Sequence, residues 1–116
     1  MATRIPTLSE RPESIVNPRF IKSVSDKEYC RQINLVNIGT RLKERCIKTE
    51  MSLEEIEDLY PFLVRITGRH GRISLVNPHA IINVYESIDS TRIEFLDGQY
   101  WLSQDPFEDL DEALFV

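Results

Sequence analysis

The side chains in this chain that could do chemistry are few and scattered. His70 lies in the run Gly68-Arg69-His70-Gly71, with Arg72 next, an arrangement able to hold an anion. A histidine between glycines also reads as an exposed polar turn, because glycine makes positive φ cheap there. His79 follows Asn77-Pro78 with no Cys or His at ligand spacing, so it reads as a surface residue. Cys30 and Cys46 make no disulfide framework and match no metal spacing. They read as inert small apolar residues rather than reactive thiols. The acidic run Asp105 to Glu112 could be a carboxylate pair or a metal site, but a solvated helix face explains it as well. No Gly-rich loop opens a helix, and no serine has His and Asp in an arrangement that would activate it. The expectation is a non-enzymatic chain with no catalytic residue, no metal and no cofactor.

Two other features keep a functional reading. Arg41, Lys43, Arg45 and Lys48 fall within eight positions, suited either to phosphate or to keeping an exposed strand edge soluble. Trp101 and Tyr85 are the second feature. If Tyr100 and Leu102 face a core, pleat alternation turns Trp101 outward, where aromatic side chains anchor interfaces. Cover by the first half of the chain would be the alternative for Trp101.

The elements that must position these residues come from 116 residues, enough for one compact fold or two very small ones. The net charge of −5 is unevenly spread. Residues 1–50 carry ten Lys/Arg against six Asp/Glu, and residues 51–116 carry four against thirteen. The acidic total opposes non-specific nucleic-acid binding by the whole molecule, yet leaves room for a basic patch on the first half. No apolar run approaches the ~20 residues that cross a bilayer. Met1 to Glu10 also lacks the apolar core of a secretory signal. No membrane insertion and a cytoplasmic location are expected.

A repeat organises the chain. Ile15-Val16-Asn17-Pro18 recurs sixty residues later as Leu75-Val76-Asn77-Pro78, and Ile21, Val24, Ile33 and Leu35 match Ile81, Val84, Ile93 and Phe95. After a six-residue excess between Asn37 and Ile47, Ser52 to Glu57 matches Pro106 to Asp111. In the second copy, strands are predicted over 62–67, 72–76, 81–86, 92–95 and 100–103. The first two flank the glycine turn, and Arg92-Ile93-Glu94-Phe95 alternates with period two. Asp97-Gly98 is the clearest hairpin signal. Asp105 fits an N-cap with Pro106 at the first helical position, and Phe107, Leu110 and Leu114 share one helix face. Leu53, Ile56 and Tyr60 repeat that stripe, and Pro61 stops the earlier helix. The expected fold is α+β: two tandem antiparallel β-meander units, 1–61 and 62–116, each closed by a short helix and related by a pseudo-twofold.

The stretch Leu63 to Leu114 resembles the small FlbD-like proteins associated with bacterial flagellar gene clusters. The residues that carry the resemblance are Val64-Arg65-Ile66-Thr67, Leu75-Val76-Asn77-Pro78, Ile81, Val84, Arg92 to Gly98 and Tyr100-Trp101-Leu102, followed by the acidic helix. That resemblance implies no enzyme activity and no active site. This chain departs from the family in being duplicated. It also resembles, less fully, LytTR-type DNA-binding modules, which combine short strands, a DG turn and a late helix. The basic residues such a module would use are largely missing from 62–116.

The leading expectation is therefore a protein-interaction or structural-assembly module, binding a protein partner or itself through Trp101, Tyr85 and the basic segment. The alternatives are a nucleic-acid-binding regulator using that segment with Lys22, Lys27 and Arg31, or an acidic decoy of a nucleic-acid-binding protein presenting Glu54 to Asp58 and Asp105 to Glu112.

Overall fold

The computed structural model describes residues 3–8, 13–36 and 45–115. The strands are β1 (Thr3–Pro6), β2 (Glu13–Val16), β3 (Ile21–Asp26), β4 (Arg31–Leu35), β5 (Arg45–Thr49), β6 (Val64–Thr67), β7 (Ile73–Val76), β8 (Ile81–Ser87), β9 (Ser90–Phe95) and β10 (Tyr100–Ser103). Helix α1 (Leu53–Leu59) follows β5, and α2 (Phe107–Phe115) follows β10. Among the described residues every strand pairing is antiparallel, as expected for this α+β chain.

Local chemistry accounts for the elements. In α1 the Ser52 hydroxyl accepts from the Glu55 N–H at 3.1 Å while the Glu55 carboxylate accepts from the Ser52 N–H at 3.2 Å. This capping box satisfies two donors that an open helix end would leave bare. Leu53, Ile56 and Tyr60 are buried along one stripe, and Pro61 lies just past the end. At the start of α2, the Asp105 carboxylate accepts from the Thr67 N–H at 2.7 Å and from the Ser103 hydroxyl at 2.9 Å. The residue expected as an N-cap thus ties the helix start to β6.

Among the described residues each half runs through two strands, a one-turn 3-10 segment opened by Asn-Pro, three more strands and a helix, the second half having a further 3-10 turn, Arg69–Gly71, between its first two strands. Asn17 and Asn77 each accept, through the side-chain oxygen, the N–H two residues on, from Arg19 at 3.1 Å and His79 at 3.0 Å. The strand after each turn shifts register at the matching point, between Ile21 and Ser23 and between Ile81 and Asn83. Sheet pairing does not follow the same symmetry. The strands form sheets β1-β2, β10-β9-β8 and β5-β4-β3-β7-β6, so the five-stranded sheet joins three strands of residues 1–61 to two of residues 62–116. A twofold would pair β8 with β2 as β3 pairs with β7. Instead β2 is bonded to β1 and β8 to β9.

The two faces of the five-stranded sheet differ. One cross-strand row runs Ile47, Ile33, Val24, Leu75 and Arg65. Its apolar part is covered by α1 and the β1-β2 hairpin, in a core containing Ile5, Val16, Ile56 and Tyr60. Arg65 ends that row and reaches Glu57 and Glu54 on α1. The opposite face carries two rows that change character across the sheet. Cys46, Asn34 and Ser23 lead to Val76 and Val64, and Lys48, Gln32, Ser25 and Ser74 lead to Ile66. The second core, with Ile81, Ile93, Phe95, Leu110 and Leu114, covers Val76 and Ile66 at the apolar end. The polar end extends beyond it.

Candidate nucleic-acid interface

A cation is available to a phosphate only if no acid within the fold holds it, and four of the described cations are held. Lys22 is buried and donates to Asp97 at 3.0 Å and to Gln99. It cannot serve as the nucleic-acid contact expected from sequence, because a buried charge is kept where its counter-charge is. Arg31 bonds the Met51 carbonyl at 2.8 Å and the Glu50 carbonyl at 3.2 Å, and lies 3.4 Å from Asp26. Arg65 donates twice to Glu57. Arg65 accordingly holds the Glu57 carboxyl below its ordinary range, chiefly through the hydrogen bond, and its own guanidinium is pushed upward in turn. Arg92 lies over the Tyr100 ring at 3.6 Å, with its Nε 3.4 Å from Glu94.

Lys27 and Arg72 are different: both are exposed and, like Arg19 and Lys48, form no ion pair among the described residues. Ser25 opposite Ser74 places the β3–β4 turn beside the connection from β6 to β7, so these two cations come to the same end of the five-stranded sheet. Both line each of two adjoining clefts of about 490 Å3. The β3–β4 turn is closed by the Lys27 N–H donating to the Cys30 carbonyl at 2.8 Å, and it carries Tyr29, 83% exposed. In the facing connection, His70 and Gly71 both have left-handed backbone, φ 70° and 72°. That conformation is costly for histidine and free for glycine. It lets the chain reverse within Gly68–Arg72, where the Gly68 N–H donates to the Arg72 carbonyl at 2.7 Å.

The residues singled out from sequence are distributed otherwise. Arg41 and Lys43 lie outside the described residues. Arg45 opens β5, and only its backbone is described. Lys48 is exposed and ends the polar row that begins at Ser74. Trp101 and Tyr85 are not brought together. Trp101 turns inward, edge-on to Phe95 at 5.7 Å, whereas Tyr85 faces outward and donates to Glu94 at 2.9 Å. That bond to the Glu94 carboxylate raises the Tyr85 phenol above its usual range. The expected outward Trp101 is corrected by the turn before it: Phe95 pairs with Gln99, which places Gln99, Trp101 and Ser103 on the inner face and Tyr100 outside.

The acids of α1 and α2 do not form one free acidic surface, since Glu54 and Glu57 are engaged by Arg65 and Asp105 is bonded to Thr67 and Ser103. Among the described residues no group of three or more His, Cys, Asp or Glu could hold a metal ion. Among the described residues no helix is long and apolar enough to cross a membrane.

With sheets of two, five and three antiparallel strands and two helices among the described residues, the chain defines an antiparallel α+β domain. It is similar to the LytTr DNA-binding domain of a protein described as a methyl-accepting/DNA response regulator from Bacillus cereus. The likeness covers 99% of this chain and 97% of that one, with a TM-score of 0.68 and 18% identity, and it is a likeness of fold. No family model matches the chain, so the FlbD-like resemblance gains no support. No curated protein matches it either. The leading expectation from sequence, an interaction or assembly module, is corrected here: the fold is shared with a domain described as DNA-binding.

Proposed function

We propose that this chain is a non-catalytic, cytoplasmic nucleic-acid-binding module that contacts phosphate through Lys27 and Arg72. The observation that carries the reading is the juxtaposition of these two unpaired cations at one end of a fold shared with a DNA-binding domain. The acidic remainder of the chain then limits loose attachment, because binding has to come through this end and not through overall charge. Tyr29 and Tyr100 flank the cations with exposed aromatic surface, and Lys48 extends the positive track along the polar face.

The test is anisotropy of a labelled mixed-sequence duplex over a salt series. Log affinity should fall linearly with log salt, and Lys27→Ala and Arg72→Ala should each flatten the slope by about 1. Arg65→Ala, which removes a cation already held by acids, should leave the slope unchanged. A wild-type protein that fails to bind duplex even at about 50 mM salt, where phosphate contacts are strongest, would dispose of the reading.

A further inference from the structure

One of the two clefts is built for more than phosphate. It opens where β10, an edge strand of the three-stranded sheet, overhangs the polar end of the five-stranded sheet, and its volume is about 490 Å3. Ser25 and Ser74, directly opposed across β3 and β7, form its floor. Tyr100, Trp101 and Leu102 form its wall, and Lys27, Arg72, Asp26 and Gly68 its rim. Ser25 already accepts from the Asn34 amide at 3.0 Å, so its own O–H remains to be donated. Asp26, the one acid at the rim, lies 3.4 Å from Arg31 and is partly neutralised by it.

An aromatic wall, a floor of hydroxyls and two cations at the mouth match the three parts of a nucleotide. A nucleotide offers the π-face of its base to aromatic side chains, the polar edge of that base to hydrogen-bonding groups, and its phosphate to cations. We propose that this cleft accepts a single unpaired nucleotide, with its base against Trp101, its polar edge toward Ser25 and Ser74, and its phosphate on Lys27 and Arg72. This deepens the nucleic-acid reading, since it rests on the same two cations, but it names the ligand as an unstacked nucleotide. Such a nucleotide can be free or part of a single strand. Lys48 separates the two sources. It sits on the same face three strands from Ser74, roughly 14 Å away at the usual strand spacing, within reach of a neighbouring phosphate of a strand but not of a mononucleotide.

Trp101 is the only tryptophan of the chain, so its fluorescence reports this cleft alone. The full chain is titrated with nucleoside monophosphates, with a short single-stranded oligonucleotide and with inorganic phosphate, while duplex binding is followed separately by anisotropy. Saturable quenching by a mononucleotide or by the single strand, and none by phosphate, is expected. Ser74→Leu, which fills the floor, should weaken that quenching by at least about tenfold. Should Ser74→Leu lower the melting temperature, Arg72→Gln, on an exposed side chain, carries the test with a similar loss. If Lys48→Ala weakens the strand but not the mononucleotide, the ligand is part of a strand; equal affinities in both assays make it a free nucleotide. Duplex binding without any quenching by mononucleotide or single strand would overturn the cleft and leave the phosphate reading standing. Quenching without duplex binding would do the reverse.

Discussion

Lys22 on β3 and Asp97 in the turn between β9 and β10 form an ion pair of 3.0 Å whose side chains are 4% and 1% exposed. Seventy-five positions apart in the chain, they fasten the five-stranded sheet to the three-stranded one. Gln99 takes a second Lys22 hydrogen bond, and the ammonium lies 5.4 Å from the Phe95 ring centre. Removing one partner leaves the other charge buried without its mate. Lys22→Ala or Asp97→Ala should therefore cost about 3–5 kcal/mol in urea unfolding. The double substitution should cost clearly less than the two singles added together. A single Ala variant that loses under about 1 kcal/mol would mean the sheets are joined by other contacts.

Asn17 and Asn77 occupy matching turns and should not matter equally. The Asn77 amide is buried and donates to the Ile21 carbonyl at 2.8 Å, besides accepting from His79. Asn17 has only its local bond to the Arg19 N–H, at an exposed site. Asn77→Ala should cost about 2–3 kcal/mol, because it strands a buried carbonyl. Asn17→Ala should cost about 0.5–1 kcal/mol, the scale of a lost cap. Equal losses by chemical denaturation would contradict the asymmetry.

The hydrogen bond from Arg65 lowers the Glu57 pKa in the folded state. A carboxyl lowered on folding adds stability above its unfolded pKa and loses it as pH falls through the folded value. Stability should thus decline on acidification from about pH 5 downward, and Glu57→Gln should show a shallower decline over that window. The difference is expected to be small, since the pair is at the surface, and to shrink in high salt. Urea midpoints compared at neutral pH and at about pH 3 measure it; parallel curves for the two proteins would rule the contribution out.

Residues 62–116 expressed alone should not fold. They would lose β3, against which β7 is hydrogen-bonded, and would expose Leu63 and Leu75, which are buried in the core of the other half. Apolar area returned to water costs about 25 cal/mol per Å2, enough to exhaust the marginal stability of so short a chain. Amide spectra with narrow dispersion are the expected result, and a well-dispersed monomer would refute it.

What the sequence by itself determined is the local structure. The strands of 62–116, the two Asn-Pro turns and the apolar stripes of both helices were legible because alternation, helical periodicity and turn chemistry act over a few residues. The face on which Trp101 lies was not. Pleat parity turns over with a shift of one residue, and the choice rested on Phe95 pairing with Gln99 across the turn. The joining of the halves was equally hidden, since β3 pairs with β7 and not with any strand of its own half on that side. Above all, only the tertiary structure decided which cations are free. Lys22, Arg31, Lys27 and Arg72 look alike in sequence, but distant residues supply Lys22 with a buried acid and Arg31 with two carbonyls, and leave Lys27 and Arg72 together at the open end. Whether a charge can meet a ligand depends on what folds against it, and that is a long-range property of the chain.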